Sequence, residues 1–86
     1  MKVGVAGSAS SNDVLITVQS CDKLVIEITS IVDAFFHDQI EKVIKDTLNE
    51  LNIKNIKVTC QDKGALDYTI KARLVTALTR MEAANA

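Results

Sequence analysis

Three serines, Ser8, Ser10 and Ser11, stand within four consecutive positions near the amino terminus, on a stretch that also holds Gly4 and Gly7. A primary hydroxyl on a segment of small residues can enter another protein's cleft and accept a group there. Nothing beside these serines in sequence would activate them. His37 is the single histidine, and without a second histidine or a neighbouring cysteine it cannot build a metal site. Cys60 lies in an alternating apolar run and reads as a small core residue, and Cys21 falls in a polar link; neither has a base near it in sequence. The glycines do not form a phosphate cradle, because Gly4, Gly7 and the serines match neither the P-loop nor the dinucleotide fingerprint. The residues therefore point to no catalytic and no metal-ligating set, only to hydroxyls that another protein could modify.

The elements that must position those hydroxyls follow from periodicity. Residues 1–12, MKVGVAGSASSN, show no sustained period and read as a flexible Gly/Ser arm or an edge segment. From Asp13 the period is two: Val14, Ile16 and Val18 alternate with Leu15, Thr17 and Gln19, then Leu24, Ile26 and Ile28 alternate with Val25, Glu27 and Thr29. Two such runs joined by a short polar link predict a β-hairpin. At Ser30 the period becomes helical, with Ser30 as N-cap and Asp33 as its capping-box partner. The helix is expected to reach about Leu51 and stop at Asn52, with Phe36, Ile40, Val43, Ile44, Leu48 and Leu51 facing the core. Pairs Asp38 with Lys42 and Glu41 with Lys45 are expected on its wet side.

Ile56, Val58 and Cys60 then alternate with polar residues, and Asp62-Lys63-Gly64 predicts a turn. Leu66, Tyr68, Ile70 and Ala72 alternate with four polar residues, which predicts a second hairpin and a short helix over 74–81. Leu66, Ile70, Leu74 and Leu78 also fit one long helix from Ala65; the strict alternation favours the strand. The resulting expectation is an α+β fold, ββαββα, whose antiparallel sheet packs two helices on one face. In domain terms, residues 1–12 are the arm and 13–86 one α+β domain.

Bulk properties agree with a small partner-dependent domain. A chain of 86 residues supports one core and buries roughly 60% of its unfolded surface, so it is expected to work within a larger assembly. Residues 1–50 carry 4 Lys against 8 acidic residues, and residues 51–86 carry 6 basic against 3 acidic. A net charge of −1 with 3% aromatic residues argues against a nucleic-acid binder. No apolar run nears the ~18 residues of a membrane span, and two cysteines without a signal sequence read as reduced thiols, so a cytoplasmic location is expected.

Two blocks of sequence carry a resemblance. Val5-Ala6-Gly7-Ser8-Ala9-Ser10-Ser11-Asn12-Asp13-Val14, followed by Leu15-Ile16-Thr17-Val18, resembles the amino-terminal motif of the citrate lyase acyl carrier (gamma subunit) family. Asp62-Lys63-Gly64-Ala65-Leu66-Asp67, continuing through Thr69-Ile70-Lys71-Ala72-Arg73-Leu74, is similar to the same family's carboxyl-terminal signature. The resemblance implies a non-catalytic carrier subunit whose serine, matching Ser11 here with Ser10 next to it, holds 2'-(5''-phosphoribosyl)-3'-dephospho-CoA through a phosphodiester. It implies as partners an alpha subunit that exchanges acetyl for citrate, a beta subunit that cleaves the citryl thioester to oxaloacetate, and the transferase that attaches the arm. Departures from the family pattern are Asn12, where a small residue is usual, Tyr68, where cysteine is common, and a short carboxyl tail. The carrier subunit of malonate decarboxylase, or an unmodified α+β interaction domain, are the competing expectations.

Overall fold

The computed structural model describes residues 2–30 and 34–83. Their order is β1 (Val3–Gly7), β2 (Val14–Ser20), β3 (Val25–Ser30), α1 (Ala34–Glu50), β4 (Ile56–Asp62) and α2 (Asp67–Ala83). The class is α+β, as the periodicity indicates, but the order is βββαβα and differs from ββαββα in two places. The sheet runs β1-β2-β4-β3, with β1–β2 and β2–β4 antiparallel and β3–β4 parallel.

Three rows of inward side chains cross the sheet. Ala6, Ile16, Cys60 and Ile28 form one; Gly4, Val18, Val58 and Ile26 a second; and Val14, Asp62 and Ser30 a third. Ile16, Val18, Val58 and Cys60 have no exposed surface, and both helices pack onto this face through Ile40, Ile44 and Leu48 of α1 and Ile70, Leu74, Ala77, Leu78 and Met81 of α2. Alternation thus identifies β2 and β4 correctly, and their inner rows, apolar through Val14, Ile16 and Val18 and through Ile56, Val58 and Cys60, put them at the centre of the sheet.

The expected hairpin of β2 with β3 is not formed. β4 lies between them, because β3, α1 and β4 make a parallel crossover unit that seats β4 directly beside β3. Alternation reports which residues face inward, not which strand is the neighbour. The second expected hairpin is also absent: 67–83 is one helix, the long-helix alternative. Its buried residues Ile70, Leu74, Ala77, Leu78 and Met81 recur at helical spacing, whereas Leu66 and Tyr68, which a strand would have buried, are 59% and 72% exposed.

Residues 3–7 are not a free arm. They form β1, at the edge of the sheet as the edge-segment alternative has it; no strand period shows there because its inward row, Gly4 and Ala6, is small rather than greasy. That smallness is required: α2 lies so close that a Cβ at Gly4 would fall on the Ala77 carbonyl oxygen and press on the Met81 backbone.

Helix α1 ends as its sequence suggests. Asn52 adopts φ 59°, Ile53 N–H donates to Leu48 C=O at 2.9 Å and Asn52 N–H to Asn49 C=O at 3.1 Å, a Schellman motif. The Ser30/Asp33 cap falls on a segment that includes residues 31–33, outside the described residues. Glu41–Lys45 pairs at 3.7 Å, but Lys42 turns to Asp46 at 2.8 Å instead of Asp38. Phe36 is the main exception to the apolar stripe, at 49% exposed, where it borders a recess shared with Gly64 and the start of α2. Leu51, 46% exposed, sits beyond the last helical turn.

Two outcomes test this packing. Ile44→Ala should lower unfolding free energy by ~2–5 kcal/mol, the cost of a core cavity, whereas Phe36→Ala should cost under ~1 kcal/mol; urea titration with unchanged m-values reads both, and equal losses would refute the placement. Burial, and secondarily the Asp62 carboxylate, push the Cys60 thiol from an ordinary 9.0 up to about 12. A raised folded-state pKa gives stability that is complete below pH 9 and lost as pH climbs from 9.0 toward 12. Native protein without a prosthetic group should therefore consume one equivalent of thiol reagent near pH 8, at Cys21, and a second only on unfolding, while Cys60→Val should flatten the alkaline loss of stability.

Candidate functional site

The three serines lie on the loop between β1 and β2, and that loop is built around one carboxylate. Gly7 closes β1 with φ 89°, where a Cβ would strike the Val14 carbonyl. Ser8 N–H then donates to Val14 C=O at 3.1 Å. The Ser8 hydroxyl donates to Asp13 Oδ2 at 2.7 Å, Val14 N–H to Asp13 Oδ1 at 2.7 Å, and Arg73 Nε of α2 to the same oxygen at 3.2 Å. These donors, the Ser8 hydroxyl foremost, hold the Asp13 carboxyl below the usual carboxylate range. A lowered pKa means that the contact is intact above that range and fails only as pH falls through the lowered value, so Asp13 is ionised throughout neutral conditions.

The tip is a tight turn over Ser10-Ser11-Asn12-Asp13. Asp13 N–H donates to Ser10 C=O at 3.1 Å and Asn12 takes φ 66°, the pattern of a type II turn with its positive-φ residue third. Asparagine tolerates that conformation, so the departure at Asn12 is conformationally neutral. Ser11 occupies the second, corner position and is exposed.

The serines therefore differ. Ser8 is committed: its hydroxyl donates to Asp13 and accepts from Ser10 N–H at 3.3 Å. Among the described residues, the Ser10 and Ser11 hydroxyls make no hydrogen bond, and both residues are exposed. Ser10 is bound by its backbone on both sides, whereas Ser11 stands at the corner.

The loop is fastened to the turn after β4. Asn12 N–H donates to Lys63 C=O at 2.7 Å and Lys63 N–H to Asp13 C=O at 2.9 Å, extending the β2–β4 ladder past Val14 and Asp62. Asp62, 2% exposed, accepts from the Ser30 hydroxyl at 2.8 Å and from Ala65 N–H at 2.9 Å, which folds the chain through Gly64 (φ 93°) into α2. The segments 5–14 and 62–74 thus meet at one end of the sheet. In the sequence Asp13, Asp62 and Arg73 stand out only as members of the two motif blocks, and Asp62 also as the start of the expected Asp62-Lys63-Gly64 turn; their roles in fastening the loop come from the structure.

The remaining sequence candidates are elsewhere. His37 sits on α1 beside Asp38, with Nδ1 4.0 Å from Oδ1. Cys21 is at the far end of β2, near Asp22, and Cys60 is inside the core. Among the described residues no group of three His, Cys, Asp or Glu side chains is placed to hold a metal ion, and no helix is long and apolar enough to cross a membrane.

Comparison with known proteins bears on this arrangement. The family model of the malonate decarboxylase delta subunit matches residues 1–81. The citrate lyase acyl carrier protein of Oenococcus oeni is 49% identical over 80 residues, 92% of this chain and 82% of that protein. Its counterpart in Halothermothrix orenii is 46% identical over 76 residues, covering 87% and 81%. A chain of a Pseudomonas malonate decarboxylase hetero-tetramer, crystallised with malonate, superposes with a TM-score of 0.81 at 13% identity, covering 93% of this chain and 84% of that one, a likeness of fold. With such identity across most of both sequences, and with its two motif blocks joined at one end of the sheet, the chain belongs to the citrate lyase acyl carrier protein family.

Proposed function

We propose that Ser11 is the attachment point of a 2'-(5''-phosphoribosyl)-3'-dephospho-CoA arm and that the chain, itself without a catalytic role, serves as the carrier subunit of a cytoplasmic citrate lyase. The observation that carries this reading is the contrast among the serines: Ser8 is consumed in holding the loop, the Ser10 and Ser11 hydroxyls are exposed and unbonded, and of these two Ser11 stands at the corner of the turn while Ser10 is held by its backbone. When bound, the arm supplies a thiol that holds acetyl or citryl as a thioester. The residues present fit such a group. The Ser11 hydroxyl can reach a transferase without disturbing the loop, whose hydrogen bonds run through Ser8, Asn12, Asp13 and Lys63.

Attachment needs nothing further from this chain. The Ser11 oxygen would form the new bond to the α-phosphorus of a 5''-triphosphate form of the arm as its bond to pyrophosphate breaks, and a base on the transferase would take the hydroxyl proton. The carrier's part is then positional. By holding the arm at Ser11 the chain would keep its thioester, for an alpha subunit that exchanges acetyl for citrate and a beta subunit that releases oxaloacetate, at an effective concentration that a free thioester would lack. The match to the malonate decarboxylase delta model favours a second reading, the same carrier role in malonate decarboxylation.

Ser11→Ala should abolish both the mass increment of protein from the native host and citrate cleavage by the assembled complex, while changing stability by no more than ~0.5 kcal/mol. Ser10→Ala should keep both. Full citrate cleavage by the Ser11→Ala complex would overturn the assignment, and citrate-inactive but malonate-active assemblies would select the second reading.

A further inference from the structure

Next to the serine loop lies a cavity that the carrier role as stated does not use. Asn12 is hydrogen-bonded to Lys63, and the following residue, Gly64, forms one wall of a recess of about 200 Å³ between the start of α1 and the start of α2. Ile40 and Ile70 form its floor, and Phe36 and Leu66, 49% and 59% exposed, stand at its mouth. One of the chain's two phenylalanines is therefore half exposed at this spot. The rim is polar in one place. Gln39 Nε2 donates to Asp67 Oδ2 at 2.7 Å across the opening, which ties α1 to α2 and orients the Gln39 amide. With that bond made, the rim offers a visitor two acceptors, Gln39 Oε1 and Asp67 Oδ1.

An apolar slot with an aromatic edge and paired acceptors suits a flat heteroaromatic ring bearing an amino group. Resting on the attachment at Ser11, we propose that this recess docks the adenine ring of the covalently held arm. The connectivity of the group agrees: counted from the serine phosphodiester, one ribose precedes the adenosine, so adenine is the first aromatic ring along the arm from Ser11. Phe36 supplies the stacking face, Ile40, Leu66 and Ile70 the apolar walls, and Gln39 and Asp67 accept from the exocyclic amino group. Tethering makes a weak site sufficient, since the ring is held near its slot at high effective concentration. The docked adenosine would lay the base of the arm along the carrier and leave the thiol-bearing end to move between partners.

The test compares protein with and without the arm by methyl and aromatic NMR, with intact-mass and fragment analysis of the same samples. Expected are shifts of Phe36, Ile40, Leu66 and Ile70 on loading, with nuclear Overhauser contacts from the adenine protons to Phe36. Leu66→Lys, at an exposed position, should remove those contacts without changing the mass increment or the fold. Free dephospho-CoA added to unloaded protein should perturb the same residues, and Phe36→Ala should weaken that binding about tenfold, ~1.4 kcal/mol, within the range of base–aromatic stacking. A full mass increment with cavity signals identical to the unloaded protein would overturn the docking proposal and leave the attachment standing. Absence of any increment would overturn the attachment and with it the docked arm. Shifts that arise only when other subunits are added would assign the recess to a partner's side chain and also overturn it.

Discussion

Every feature at the functional end of this molecule hangs from the last residue of β4. A central strand must carry an apolar inner row, and β4 does so through Ile56, Val58 and Cys60 until Asp62 breaks it. A buried carboxylate needs donors on its oxygens, and Asp62 finds them in Ser30, at the end of the neighbouring parallel strand, and in the backbone of Ala65, at the entry to α2. One side chain thus fixes the end of β3, the direction of the Gly64 turn and the start of α2. The turn so fixed presents Lys63, and Lys63 is what the serine loop grips through two backbone hydrogen bonds. The order of dependence runs from core strand to carboxylate to turn to loop, and the exposed hydroxyl comes last.

How far the sequence shows this depends on where the information sits. Period-two rows made β2 and β4 legible, and the Ile40, Ile44 and Leu48 stripe with its Asn52 stop made α1 legible, because each is a repeated local pattern facing one core. Strand neighbours were not legible: β4's insertion between β2 and β3 is a property of the crossover, which no local pattern encodes. β1 was hidden for the opposite reason from most missed strands, since close approach of α2 demands Gly4 and Ala6 where a hydrophobic row would have announced it. The stretch 66–73 satisfies both periods at once, and the choice falls to residues farther on, Ala77, Leu78 and Met81, which continue only the helical one. The family resemblance reached Ser11 as a matching position, but what separates it physically from Ser8 is a hydrogen bond between Ser8 and Asp13, and that bond is visible only in three dimensions.

A carrier has conflicting requirements at its anchor, and the loop meets them by dividing the work among like residues. The anchor must be accessible, so it cannot be packed; yet an anchor on a freely moving chain would add its own disorder to that of the arm, enlarging the volume to be searched and diluting the thioester. Here, with Ser11 as the proposed anchor, the loop is rigidified by other groups. Ser8 and Asp13 cross-link its base, Arg73 fastens it to α2, and Asn12 absorbs the positive φ that lets the turn close in four residues. Because Asp13 is ionised well below neutrality, the clamp holds its charge wherever the protein works. The result is a fixed point: in an arm attached at Ser11, as proposed, motion would begin at the first bond beyond that residue, so that the geometry of delivery would be set by the arm and by the partners, with the carrier contributing position and nothing that the chemistry would have to undo.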